Sequence, residues 1–141
     1  MKLHLPRRRP RIPAWGAATS ELGVDTVSRL LRSCLLLKPA YLAIDAFEMP
    51  HTDPSVEPFR SMLLEHGGRR QTGIVVPLSD ERLVEAFCRY GPYSADASMG
   101  RTGAADLIIQ CLDGEGVVLE MRDDEMERTG VELGAAWRRL E

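Results

Sequence analysis

The residues best suited to chemistry follow the first predicted strand. A histidine and three carboxylates occur there at short spacing: Asp45, Glu48, His51 and Asp53. A histidine beside carboxylates can act as a general base with an orienting partner, or take part in a metal site. Ligands of α/β sheets bind outside the carboxyl ends of parallel strands, where this segment is expected to lie. The spacing matches no specific metal motif, so two readings stay open. One is a small enzyme or ligand site at Glu48, His51 and Asp53, and the other is a polar loop in which Asp53 or Ser55 caps a helix and His51 is solvated.

An acidic run near the carboxyl terminus is the second candidate site. Four of the five residues from 123 to 127 are acidic: Asp123, Asp124, Glu125 and Glu127. Charge runs are usually solvated faces, but such a surface can also mimic phosphate and bind a basic protein. We interpret it as a partner-binding surface, joined by Tyr93 and Arg101, because tyrosine and arginine are enriched in binding hot spots.

Nucleophilic catalysis has no support in the sequence. The chain has no G-x-S-x-G motif, and its cysteines lie far apart, at Cys34, Cys88 and Cys111. A disulfide framework or a zinc site would need paired spacings. We therefore expect three buried, reduced thiols in a reducing cytoplasm, with neither a metal nor a cofactor.

The charges of the chain are sorted by position. The first twelve residues carry Lys2, Arg7, Arg8, Arg9 and Arg11, and no acid occurs before Glu21. Residues 106–141 hold ten acids against four arginines, a local net charge of −6. Such a dipolar molecule steers charged partners. With a net charge of −3 overall, nucleic-acid binding is expected only through the basic arm.

No segment of the sequence is typical of a membrane span or a secretory signal. Prolines 6, 10 and 13 occupy the place of an apolar signal core. The apolar run over residues 34–37 is far shorter than the ~20 residues that a span requires. Arginine outnumbers lysine sixteen to two, which indicates a GC-rich, bacterial genome.

Hydrophobic periodicity and turn residues predict the order α-β-α-β-α-β-β-α. A hairpin turn is indicated by the glycines at positions 114 and 116 and by the acids beside them. The predicted helices cover residues 19–37, 55–67, 79–90 and 130–140. The predicted strands cover 40–47, 73–77, 106–112 and 117–122, with a long loop at 91–105.

These elements predict a single α/β domain, α+β-like, over residues 19–141, preceded by a basic, proline-rich arm over residues 1–18. A strand-helix-strand unit implies a parallel pair, and the hairpin adds antiparallel strands. We expect a mixed four-stranded sheet with a carboxyl-terminal antiparallel hairpin, covered by about four helices.

In size and element order alone, the chain resembles the small α/β immunity proteins and antitoxins of bacteria. That resemblance implies a non-catalytic protein-binding module. It would inhibit a basic partner, such as a nuclease toxin, through the acidic run and the residues that join it. The alternative is the enzyme or ligand site near His51.

Overall fold

A computed structural model describes residues 12–101 and 106–140 of the chain. These residues form five α-helices and seven strands, numbered in chain order. The helices α1 to α5 are Thr19–Leu22, Val24–Cys34, Glu57–Gly67, Glu81–Tyr90 and Asp123–Thr129. The strands β1 to β7 are Ala14–Ala18, Tyr41–Ile44, Ile74–Val75, Asp96–Gly100, Leu107–Leu112, Gly116–Glu120 and Arg138–Leu140. Three short 3-10 turns are Leu35–Leu37, Pro54–Val56 and Gly91–Tyr93.

The strands form one sheet in the order β3-β2-β4-β5-β6-β1-β7. Every pairing within the described ranges is antiparallel. The predicted class, with helices and strands in a single chain, is confirmed. The predicted sheet of four strands is too small, and the predicted parallel pair is wrong.

The parallel pair is absent from the described sheet because β3 begins beside the end of β2 and runs back along it. The Asp45 carboxylate accepts a hydrogen bond from the Gly73 N–H at 2.7 Å. Next to it, the Ala46 N–H donates to the carbonyl of Gln71 at 2.7 Å. The chain thus returns to the carboxyl end of β2 after α3, and Ala43 pairs with Val75 in antiparallel register.

The core lies between one face of the sheet and the helices α2, α3 and α4. One cross-strand row of this inner face consists of Leu42, Met99, Ile109 and Leu119, all fully buried. Leu31, Leu63 and Phe87 cover the row from the three helices and are also fully buried. The helices therefore form a single layer on this side of the sheet.

The amino-terminal end of the described chain is a strand, not an arm. Residues 14–18, predicted as the end of the basic arm, form β1 between β6 and β7. The rest of the predicted arm, residues 1–11, lies outside the described residues. The predicted helix over residues 19–37 is interrupted at Gly23, whose φ of 85° is a left-handed conformation that glycine adopts readily.

The carboxyl-terminal part confirms the hairpin and corrects its surroundings. Strands β5 and β6 pair in the predicted hairpin. The expected loop over residues 91–105 is instead a 3-10 turn followed by β4 as far as Gly100, and residues 102–105 lie outside the described ranges. The predicted helix over residues 130–140 is wrong. Gly130, at a φ of 72°, ends α5, and the chain returns to the sheet as β7.

Candidate functional site

The acidic run forms α5, and one of its acids points into the protein. The Glu125 side chain is only 6% exposed and forms an ion pair with Arg101, which is 16% exposed. The Arg101 guanidinium donates two hydrogen bonds to the Glu125 carboxylate, at 2.7 and 3.1 Å. It also donates to the carbonyls of Leu107 and Glu120, at the adjoining ends of β5 and β6. Arg101 therefore joins α5 to the sheet.

Glu125 also caps the helix that carries it. Its carboxylate accepts a hydrogen bond from the Arg122 N–H at 3.0 Å, across the first turn of α5. Burial alone would raise the pKa of Glu125. The hydrogen bonds from Arg101 and from the Arg122 N–H outweigh burial, so this pKa is lowered and the carboxylate stays charged.

The other three acids of the run, Asp123, Asp124 and Glu127, are exposed on α5. We call these three residues the acidic face. Asp124 lies 3.9 Å from Arg128, a loose surface pair in which both side chains are more than 60% exposed. Such a pair contributes little to stability, so the carboxylates remain accessible to a partner.

The structure separates the residues that were expected to bind together. Tyr93 and Arg101 flank the two ends of β4, and Arg101 is engaged with Glu125. Tyr93 lies near the start of α2, whereas α5 packs against the turn that follows the end of α2. A helix of eleven residues is roughly 16 Å long, so Tyr93 is not part of the acidic face.

The residues of the alternative enzyme or ligand site, Glu48, His51 and Asp53, do not form one cluster with a shared contact in the described structure. Asp53 caps the 3-10 turn at Pro54–Val56 by accepting a hydrogen bond from the Ser55 N–H at 2.9 Å, and this bond lowers its pKa. His51 is exposed, with a φ of 65°, and Glu48 is exposed in the same connection. Within the described ranges, no three His, Cys, Asp or Glu side chains are grouped as metal ligands would be.

A groove of about 790 Å³ lies between the start of α2, the Pro54–Val56 turn and the end of α4. Asp53 and Tyr93 line it, but Glu48 and His51 do not. Arg89, also in the lining, stacks on the Phe59 ring with its guanidinium carbon 4.9 Å from the ring centre. The groove is mixed in charge because Arg29 and Arg32 of α2 face it together with Asp25 and Asp53.

Burial makes the thiols poor nucleophiles. Cys34, Cys88 and Cys111 are free and buried, which confirms that prediction. Burial raises the pKa of both Cys88 and Cys111 to about 12, and it raises that of Cys34 further. The thiolate is the reactive form, so these groups are inert in the folded protein at neutral pH.

The sequence did not predict that Arg101 and Glu125 form a buried ion pair, nor that arginines line the groove. One signal was present for Glu125, since an acid three residues after the residue that caps a helix commonly accepts a hydrogen bond from that residue's N–H. Arg89 gave no signal, because its partner ring is on another helix, at Phe59.

Comparison of the chain with protein-family models, curated proteins and solved structures found no match. In the part of the chain that the structure describes, none of the helices has both the length and the apolar character needed to cross a membrane.

The Arg101–Glu125 pair should dominate the stability of α5. Replacing Arg101 with Met leaves a buried carboxylate unpaired, so we expect a loss of about 3–5 kcal/mol in urea unfolding at pH 7. The matched control is Arg128→Met, which removes an exposed pair and should cost less than ~0.5 kcal/mol. Equal effects of the two substitutions would contradict this role.

The Arg101–Glu125 pair predicts that the free energy of unfolding depends on pH. The folded-state pKa of Glu125 is lowered, so its contribution is fully present above the unfolded pKa of ~4.3 and is lost as the pH falls through the folded value. The stability difference between the wild type and Glu125→Gln should therefore shrink when urea unfolding is repeated near pH 3. A difference that is independent of pH would show that the charge of Glu125 is not what stabilises the fold.

The thiols should be protected by the fold. We expect a thiol-reactive dye to modify the native protein at least ~100-fold more slowly than the urea-unfolded protein, because modification requires local opening. Mass spectrometry of timed samples measures all three sites. Fast labelling of any one cysteine under native conditions would contradict its burial.

Proposed function

We propose that this chain is a non-catalytic protein-binding module that holds a basic protein through its acidic face. The chain would act as a bacterial immunity protein or antitoxin does, and its partner would be a basic protein such as a nuclease toxin. The observation that carries the proposal is the inward turn of Glu125, which fixes α5 while Asp123, Asp124 and Glu127 project outward.

The fixed helix matters because association costs free energy whenever a binding segment must be ordered. The bonds from Glu125 to Arg101 and to the Arg122 N–H order α5 in advance. A pre-ordered charged surface loses less entropy on binding than a flexible acidic tail would. Acidic side chains on such a surface also accelerate the encounter with a basic partner.

The buried thiols agree with a reducing compartment, and the proposal places the protein in the bacterial cytoplasm. A toxin that acts on nucleic acid needs a basic surface of its own. The acidic face would compete with the phosphates for that surface. Such inhibition requires neither a metal nor a cofactor from this chain.

Charge reversal tests the acidic face. The variant Asp123→Lys, Asp124→Lys, Glu127→Lys should weaken binding of the basic partner at least ~100-fold, or about 2.7 kcal/mol. The partner is first captured from the cell extract, identified by mass spectrometry, purified and then titrated by calorimetry at low and high salt. Binding to the wild type should weaken as salt rises.

The matched control reverses three exposed acids elsewhere on the surface, Glu21, Glu48 and Glu65, with the same change in net charge. A neutral triple, Asp123→Asn, Asp124→Asn, Glu127→Gln, avoids repulsion at the positive start of α5. Undiminished binding by both acidic-face variants would refute the proposal, as would an equal loss in the control. Circular dichroism verifies that each variant is folded.

The groove supports a second candidate, a small-molecule site. Its volume of about 790 Å³ is in the range of ligand pockets, and Arg89 presents a guanidinium held in place by Phe59. Asp53, from the original enzyme hypothesis, lies in this groove, whereas His51 does not.

Ligand titration by NMR distinguishes a small-molecule site in the groove at Arg89 from one at His51. A panel of small carboxylates and phosphate esters should shift the amide signals of residues 23–26, at the start of α2, if the groove binds anions. We expect Arg89→Met to abolish those shifts and His51→Ala to leave them unchanged. Loss in His51→Ala alone would favour a site at His51, and an absence of shifts across the panel would remove the groove as an anion site.

A further inference from the structure

The face of the sheet that points away from the helices has an unusual composition. Its central cross-strand row runs through five neighbouring strands: Ala43, Ser98, Gln110, Val118 and Gly16. Each of these residues is half-buried, whereas the residues of β2, β4, β5 and β6 that point to the opposite face in the paired rows are buried. None of the described elements therefore covers this outer face.

The central row carries no charge. The charged side chains of the outer face lie toward its ends and edge, at Asp96, Glu120 and Arg138. Asp96 already accepts a hydrogen bond from the Gln110 amide at 3.1 Å. Depletion of charge at the centre of a patch, with charge at its rim, is characteristic of protein interfaces.

Both edge strands add apolar surface to the same face. Val75 of β3 pairs with Ala43 and is 63% exposed. Leu140 of β7 is 43% exposed and lies over Gly16, where a Cβ atom would be only 3.3 Å from the leucine side chain. Exposed apolar side chains that share one face with an uncharged row form a patch of the kind that marks an interaction site.

Two large side chains of the outer face lie against glycines of the neighbouring strand. The ring of Tyr41 lies against Gly100, so closely that a Cβ atom at Gly100 would collide with it. The side chain of Leu140 lies along the sheet in the same way. Side chains that lie parallel to the sheet, instead of projecting from it, allow a second sheet to approach to the ~10 Å at which sheets pack face to face.

The size of the face suits a dimer. Seven strands about 4.8 Å apart span roughly 29 Å, and five residues of about 3.3 Å span roughly 17 Å. The projected area is then roughly 490 Å², about three-fifths of the ~800 Å² per partner that a stable interface buries, and the relief of the side chains adds to it.

We propose that this outer face packs against the same face of a second copy of the chain. The uncharged central row has no side chain that would attract a charged partner. It is complementary to an identical uncharged row on a second copy of the chain. Serine and glutamine in the row can pair with their own copies across a twofold axis, the commonest symmetry of protein dimers. The dimer would have four layers, helices outside and two sheets inside.

Mass measurement tests the dimer directly. Light scattering coupled to gel filtration should give twice the chain mass of 15.7 kDa for the wild type. Placing a charge in the central row should return the mass to that of one chain, because a buried unpaired charge is costly. The variants are Ser98→Arg and Val118→Arg, and the matched control is Ser61→Arg, at an exposed position on α3, which should stay dimeric.

Each outcome decides the proposal. A wild type with the mass of one chain at about 100 µM would overturn it, since mass action favours the dimer at high concentration. A dimer that persists in both row variants would overturn it too. If Val118→Arg does not fold, Ser98→Arg carries the test, because Ser98 is only half-buried and has no large side chain to lose. The acidic face lies on α5 in the helical layer, so the outcome of the dimer test does not depend on the outcome of the test of the proposed function.

Discussion

The buried ion pair between Arg101 and Glu125 holds the two layers of this protein together at one end. Arg101 follows the last residue of β4, and its guanidinium reaches the carbonyls of Leu107 and Glu120 as well as the Glu125 carboxylate. One side chain thus satisfies backbone acceptors at the ends of two strands and neutralises the buried acid in the first turn of α5. A buried charge is tolerated only when it is paired and hydrogen-bonded, and here each partner meets that requirement for the other.

This pair also divides the acidic run into two kinds of residue. Glu125 lies at the third helical position, from which its side chain reaches the first turn and the Arg101 guanidinium. Asp123, Asp124 and Glu127 lie on other sides of the same helix and stay in solvent. Because α5 has only seven residues, it would be marginal without tertiary contacts. The stability of the helix and the presentation of its charges therefore have the same cause.

Local signals predicted the parts of the fold that depend on neighbours in sequence. The hairpin of β5 and β6 follows from its turn, in which Asp113 and Gly114 both adopt a positive φ. The size of the sheet could not be predicted, because β1 is a short strand whose pairing partners, β6 and β7, are about a hundred residues further along the chain. The inward side chain of Glu125 was likewise missed, since its main partner, Arg101, is twenty-four residues away. Exposure of a charged residue depends on such distant partners, which a charge run does not reveal.

The helices occupy one side of the sheet, and this separates the acidic face on α5 from the uncharged central row of the opposite side. The start of α2 lines the groove, and its end leads to the turn against which α5 packs, so the groove and the acidic face share the helical layer. The opposite side presents an uncharged row centred on Gln110. If the acids of α5 lay on that side, their repulsion across a twofold axis would oppose any pairing of two copies. Because they lie on the helical side, the surface proposed to bind a basic protein and the surface proposed to pair with a second copy do not overlap.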